Sequence, residues 1–271
     1  MGDILRDFEP AQLALALDEN YIDFARFICT LPQARFHEEP GLSWFETGVP
    51  LSFLNGVIKT QQRPEQLSTT IKRIHTYFAQ RHLPFHWHIG SASEPANFHA
   101  QLEEQGIAYD ESEPGMALDL QQIGDEVSNP IGLEIQPVTN SVRLRQWIEV
   151  WGCGAPPEIN EHFYQAYNQL SLEPGNPYRL YLGLLNDQPV ATAALFQGKE
   201  VASIRYIVTI HAARRQGIGS IMTRTAALEA RRLHYRVAVL TASPQGRSVY
   251  ENIGFRPFCT VSTYEWWPAR G

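Results

Sequence analysis

Ile207-Val208-Thr209-Ile210, Arg214-Arg215-Gln216-Gly217-Ile218-Gly219 and the run from about Ser220 to Leu233 read in turn as the end of an apolar strand, a turn of arginine and glycine, and a helix. A second apolar strand, Arg236 to Thr241, follows. After it comes Ser243-Pro244-Gln245-Gly246-Arg247-Ser248-Val249-Tyr250-Glu251-Asn252-Ile253-Gly254-Phe255. A strand, a tight glycine turn and a helix start offer unpaired backbone N–H groups beside the positive end of a helix dipole, which is how a diphosphate is held. Gly217 and Gly219 are expected to take positive φ and admit a ligand oxygen to the main chain, while Ile218 turns inward as an anchor. From Arg205 to Arg247 there are eight arginines and one acid, Glu229, in a chain of formal charge -7. A local positive field in an acidic chain points to a specific anionic ligand rather than to nucleic acid.

What the stretch lacks narrows the ligand. A P-loop needs a lysine that is absent here, and a dinucleotide fingerprint needs a third glycine where Met222 stands. The pattern that remains resembles the GNAT superfamily of acyl-CoA-dependent N-acyltransferases. Its Arg/Gln-x-x-Gly-x-Gly/Ala motif is met by Arg214, Gly217 and Gly219, and its closing Tyr-x-x-x-Gly-Phe by Tyr250, Gly254 and Phe255. The resemblance implies acetyl-CoA as acyl donor. It also implies donor contacts from Val208 and Ile210 on the strand and from Arg214, Arg215, Gln216, Gly217, Ile218, Gly219 and Ser220 in the turn, an oxyanion donor among the strand's backbone amides, and Tyr250 as the general acid beside the CoA sulfur. Some members carry a glutamate on that strand as base; this chain has Ser203 and Arg205 there, with Glu200 nearer the strand's start. No base is assigned, and a water chain or an amine that binds neutral would serve. Acceptor contacts are expected from Trp151 to Tyr167 and from the last strand, with Glu158, Glu161, His162, Tyr164, Tyr264 and Trp266 as candidates.

Outward from this stretch the chain divides. Residues 1 to about 36 have helical periodicity; Trp44–Gly48 and Leu51–Ile58 read as strands; Pro64 opens a helix that ends near His82; Pro84–Ile89 is a strand and Pro95–Gln105 a helix. Ile107 to Leu120 is expected to hold two short strands around Pro114-Gly115. Gln121–Pro130 has linker composition. Beyond it come a strand at Gly132–Val138, two helices broken at Gly152–Pro157, a hairpin of Tyr178–Leu185 and Val190–Phe196 turned at Asn186-Asp187, the deciding stretch, and a last strand at Phe258–Trp266. The fold class expected is α/β (α+β), with two GNAT-like mixed-sheet domains in tandem: a degenerate one at 1–124 and a complete, acetyl-CoA-binding one at 132–271. The repeat is one of architecture, not of letters. Where the second half has its glycine turn, the first has Lys59-Thr60-Gln61-Gln62-Arg63-Pro64-Glu65-Gln66, with no glycine and with Pro64 removing an N–H donor. Only the C-terminal half is expected to bind acyl-CoA.

Other functions find little support. Cys29, Cys153 and Cys259 are too scattered for a disulfide framework or a zinc motif. His86 and His88 share a strand face and could meet Glu94 at a metal, but with no third ligand placed they are read as core residues. His37-Glu38-Glu39 reads as a solvated turn. The start of the chain has no basic region followed by an apolar run, and no apolar run approaches a membrane span, so a soluble cytoplasmic protein is expected, with no membrane and no nucleic-acid partner. The acceptor is expected to be a small-molecule or peptide amine; pairing into a homodimer is left open. Two function classes stand: an N-acetyltransferase, and a catalytically silent acyl-CoA sensor or interaction protein. O-acyl transfer on the same cradle is a third.

Overall fold

The computed structural model describes residues 4–93, 95, 98–124, 130–173 and 175–268. Glu94 and half of the linker, residues 125–129, lie outside them. The chain forms two compact units. The first takes the chain up to Asn20 together with Gly115–Phe258, and the second takes Tyr21–Pro114 and the chain from Cys259 onward. The units are therefore interleaved along the sequence, whereas the division at 1–124 and 132–271 is sequential. Helix α1 (Pro10–Ile28) and strands β5 (Ala108–Asp119) and β11 (Arg256–Trp266) each supply residues to both units.

In the first unit the strand order is β5, β10 (Val237–Thr241), β9 (Ala202–Thr209), β8 (Gln188–Gln197), β7 (Tyr178–Leu185) and β6 (Leu133–Pro137), with only the β9/β10 pair parallel. The β7–β8 hairpin turns at Asn186 and Asp187, both left-handed (φ 50° and 65°), as a two-residue type I′ loop requires. Helix α4 (Ser141–Trp151) begins where the Asn140 side chain accepts the Arg143 N–H at 2.9 Å. It breaks at Gly152, and Pro157 opens α5 (Pro157–Tyr167). Helix α6 (Ile218–Arg232) buries Met222, Ala226, Ala227 and Ala230. Three alanines on one face let it lie close to a sheet that offers Leu195, Ile204 and Leu240.

The second unit orders β1 (Arg35–Glu39), β2 (Leu42–Glu46), β3 (Gly56–Thr60), β4 (Phe85–Ile89), β11 and β5; β3/β4 is parallel, and β1/β2, β2/β3 and β4/β11 are antiparallel. Helix α2 (Pro64–Gln80) sets Leu67, Ile71, Ile74 and Phe78 against Val57, Phe85 and Trp87, and the short α3 (His99–Glu103) adds Leu102.

Four local expectations are corrected. The first helix stops at Ile28, and His37-Glu38-Glu39 is strand, not turn: the His37 ring stacks flat on Trp44, 3.7 Å between centroids and 5° between planes. Leu51–Ile58 is not one strand, because Ser52–Leu54 forms a 3₁₀ turn and β3 starts at Gly56. The buried Asn55 amide pays for that irregular backbone, accepting from Thr47 N–H at 2.9 Å and donating to the carbonyls of Val49, Leu51 and Pro84 at 2.7, 2.9 and 3.2 Å. Finally, Ile107–Leu120 holds one strand rather than two. Pairing of β5 with β10 begins only at Gly115, so Pro114 removes no bond from that ladder. Among the described residues no helix is long and apolar enough to cross a membrane.

Candidate functional site

Strands β9 and β10 pair at Ala202↔Ala238 and Ser203↔Val239. Beyond these pairs β9 continues to Thr209, and the two strands diverge. A cavity of about 460 Å³ opens there, entirely within the first unit, walled by Ile207–Thr209 of β9, the turn into α6, and Ser243, Gln245 and Gly246 with Val249 and Tyr250.

Strand β9 is shaped by a bulge. Thr192 pairs with Val208 but Ala194 with Arg205, so two residues, Tyr206 and Ile207, stand against Ala193. Tyr206 is left-handed (φ 53°), and its carbonyl accepts from the Thr192 hydroxyl at 2.7 Å. A tyrosine held there costs about 1–2 kcal/mol. The offset is aromatic: its ring meets Trp147, Trp151 and Phe163 edge-on at 5.8, 5.8 and 6.0 Å. Ile207 then turns to the core beneath α6.

The turn into α6 is left-handed at Arg215 (φ 62°) and Gly217 (φ 76°). Gly219 corrects the expectation of positive φ, since it already lies within the right-handed helix. The first helical bond runs from Ile221 N–H to Gly217 O at 3.1 Å, so the N–H groups of Ile218, Gly219 and Ser220 precede the ladder and stand at the positive end of α6. That first turn has no acidic residue. Ile218 is buried and anchors the turn. Arg214 Nε donates to Thr209 O at 3.0 Å, laying the guanidinium across the end of β9.

Tyr250 rides on the short helix α7 (Arg247–Ile253), which ends at left-handed Gly254 (φ 117°). The N–H groups of Gly254 and Phe255 both donate to Tyr250 O, at 3.2 and 3.0 Å, and Phe255 is fully buried. The Gly-Phe pair thus stops the helix one residue after Ile253 and pins it to the core. The Tyr250 ring lies at the edge of that core and also walls the cavity.

Of the residues singled out in the sequence, Val208, Arg214, Arg215, Gly217, Ile218, Gly219, Ser220 and Tyr250 surround one cavity. Ile210 and Gln216 do not line it. The Ile210 N–H is taken by Val190 O at 2.9 Å and its side chain packs with Ile218 and Ile221, while Gln216 is exposed on the turn. Thr209, Ser243 and Gln245 also line the cavity and were not anticipated; Ser243-Pro244 at a helix entry was the available signal.

No carboxylate lies on β9. Ser203 Oγ accepts from Arg205 Nε at 3.0 Å, and Arg205 Nη2 reaches Asn20 Oδ1 at 3.4 Å. Among the acceptor candidates, Glu161 is held by Arg145 at 2.6 Å, which keeps its carboxyl below the usual range, and the same guanidinium covers Tyr164 at 3.4 Å. Burial pushes the Tyr167 and Tyr178 hydroxyls well above the ordinary tyrosine range. Tyr264 and Trp266 belong to the second unit, where Tyr264 is core. His86 Nδ1 lies 3.0 Å from Ser52 O, and His88 packs on Tyr21 at 4.2 Å. Among the described residues no three metal-binding side chains come together.

Known proteins share this fold. The profile of the acetyltransferase (GNAT) family matches residues 144–255. A GCN5-related N-acetyltransferase from Kribbella flavida is similar with a TM-score of 0.69 at 18% identity, over 94% of this chain and 96% of its own. Another, from Sphaerobacter thermophilus, reaches 0.60 at 15% over 93% of each chain. A tandem GNAT protein from the clavulanic acid biosynthesis pathway reaches 0.57 at 12% over 97% of this chain and 98% of its own. No curated protein matches the chain. At these identities the structural likeness is one of fold, and it extends over both halves. With the family's profile falling on the α4-to-Phe255 segment that builds the cavity, the chain carries a GNAT-family acetyltransferase domain at residues 144–255 within a tandem GNAT fold.

Proposed function

We propose that the chain is an N-acetyltransferase that moves an acetyl group from acetyl-CoA to an amine by direct attack, with Tyr250 as general acid. The observation that supports this most is the meeting of three parts at one cavity: the diverging edge of β9, the free N–H groups at the start of α6, and the Tyr250 ring. Acetyl-CoA brings a diphosphate and a thioester on a long arm. The diphosphate suits the α6 start with Arg214 and Arg215, and the arm suits the unpaired edge of β9 at Val208. The amine nitrogen bonds to the carbonyl carbon, the oxyanion collapses, the C–S bond breaks, and the CoA thiolate takes the Tyr250 proton. The acceptor arrives as free base, its nitrogen sheds a proton to water after attack, and Tyr250 regains one from solvent, since β9 offers Ser203 and Arg205 in place of a carboxylate.

That missing carboxylate is what favours the second reading, an acyl-CoA sensor. Calorimetric titration with acetyl-CoA followed by an amine screen separates the two. The enzyme should bind in the micromolar range and turn over, and Tyr250→Phe should keep the binding while lowering kcat by about 10²-fold. Binding without turnover on any amine supports the sensor, and no binding by folded protein removes both.

A further inference from the structure

The second unit contains the same strand–helix–strand crossover as the first. Strands β3 and β4 are parallel and pair at two positions only, Gly56↔His86 and Val57↔Trp87, just as β9 and β10 do at Ala202↔Ala238 and Ser203↔Val239. By register Trp87 corresponds to Val239. Where β9 and β10 part to form the cavity, the equivalent opening in the second unit is spanned by a side chain. Trp87 Nε1 donates to Thr60 Oγ1 at 2.9 Å, three residues past its own backbone partner on β3, and both residues are fully buried. The buried indole packs near Phe98, 6.3 Å between centroids.

The helix start that would hold a diphosphate is changed as well. Pro64 has no N–H, and although Glu65 keeps its own, the N–H groups of Gln66 and Leu67 both bond to Arg63 O at 3.0 and 3.2 Å. Glu65 brings a carboxylate to the first turn, where α6 has none. The approach is tied down too: Gln61 N–H donates to Gly41 O at 2.6 Å and Gln62 Nε2 to Pro40 O at 2.8 Å.

We infer that the second unit is a copy of the acyl-donor cleft held shut by Trp87 as an internal ligand, which fixes the chain's capacity at one acyl-CoA. The inference rests on the acetyl-CoA reading for the first unit. Titration with acetyl-CoA should give one equivalent for the native chain. Ser220→Asp sets a negative charge against the diphosphate at the α6 start while suiting the helix dipole, and should bind none. Two equivalents, or one surviving in Ser220→Asp, overturns the inference; no binding by the native chain fails the acetyl-CoA reading itself. The plug is tested separately. Trp87→Val, the residue the first unit has at this register, should lower the urea midpoint, and millimolar indole should raise it again while leaving the native chain unaffected. A Trp87→Val midpoint equal to the native one, or unmoved by indole, refutes the plug. Thr60→Val removes only the hydrogen bond and should give a smaller fall if Trp87→Val does not fold; no fall at all likewise refutes it.

Discussion

Two glycines two residues apart should respond to the same substitution with opposite signs. Gly217 is left-handed at φ 76° and ψ −1°, and a Cβ built there meets nothing within 4 Å, so Gly217→Ala introduces backbone strain and no clash. That strain is about 1–2 kcal/mol. Alanine's stiffer unfolded chain returns roughly 0.5 kcal/mol, for a net loss of about 1 kcal/mol. Gly219 is right-handed inside α6, and its Cβ would sit 3.6 Å from Thr209 Oγ1, an ordinary contact. Gly219→Ala therefore gains helix propensity, about 0.5–1 kcal/mol. The two variants should differ by about 1.5–2 kcal/mol in urea unfolding followed by circular dichroism, which for a domain of this size is a gap of several degrees in Tm. If Gly217→Ala equals or exceeds the native chain in stability, or Gly219→Ala falls below it, the account of this turn is wrong. Acetyl-CoA binding gives a second axis. The motif admits Gly or Ala at Gly219, so Gly219→Ala should bind within about threefold of native, a difference of roughly 0.7 kcal/mol.

Other positions make shorter tests. Tyr206→Gly should be more stable than Tyr206→Ala by about 1 kcal/mol, the reverse of the usual order in a strand, because φ 53° is strained for alanine and free for glycine; the ordinary order in urea unfolding refutes the bulge. Asn55→Ala should cost about 3 kcal/mol by the same assay, since it strands the Thr47 N–H and up to three carbonyls; a loss under about 1 kcal/mol means water replaces the amide. Burial holds the His37, His75 and His86 rings below the ordinary histidine range, so the unfolded chain takes up protons first, near pH 6.5, and the stability these neutral rings confer is whole above that pH and lost below it. The urea midpoint of the second unit should fall from about pH 7.5 to 5.5, a window above that in which Asp110 and Glu111, raised by burial and by neighbouring acids, act in the opposite sense; a flat midpoint contradicts the buried neutral rings.

What was legible in the sequence was what has a local cause. The Arg214-to-Gly219 turn, the Tyr250…Gly254-Phe255 close and the Asn186-Asp187 hairpin each state their backbone conformation in residues a few positions apart, and the chain folds as they say except at Gly219, which is already helical. The misreadings come from causes that are distant. Arg35–Glu39 alternates too weakly to read as a strand, and becomes one because β2 accepts all five of its residues in register. The Asn55 side chain replaces backbone partners drawn from two separate segments, Thr47–Leu51 and Pro84, which no short window of sequence contains. The bulge at Tyr206 is the sharpest case, because nothing about an isolated tyrosine predicts a left-handed backbone. It is stabilised by rings on α4 and α5 from 43 to 59 residues earlier in the chain, and it aims the edge of β9 at the cavity. The same reasoning separates the two crossovers. A glycine turn is a positive local signal, whereas the closing of its counterpart depends on Trp87 reaching Thr60 across the gap between two strands, a contact set by register rather than by motif. A cleft can thus be recognised from its turn, but whether it is open is decided by the residue at the last position where its strands still pair.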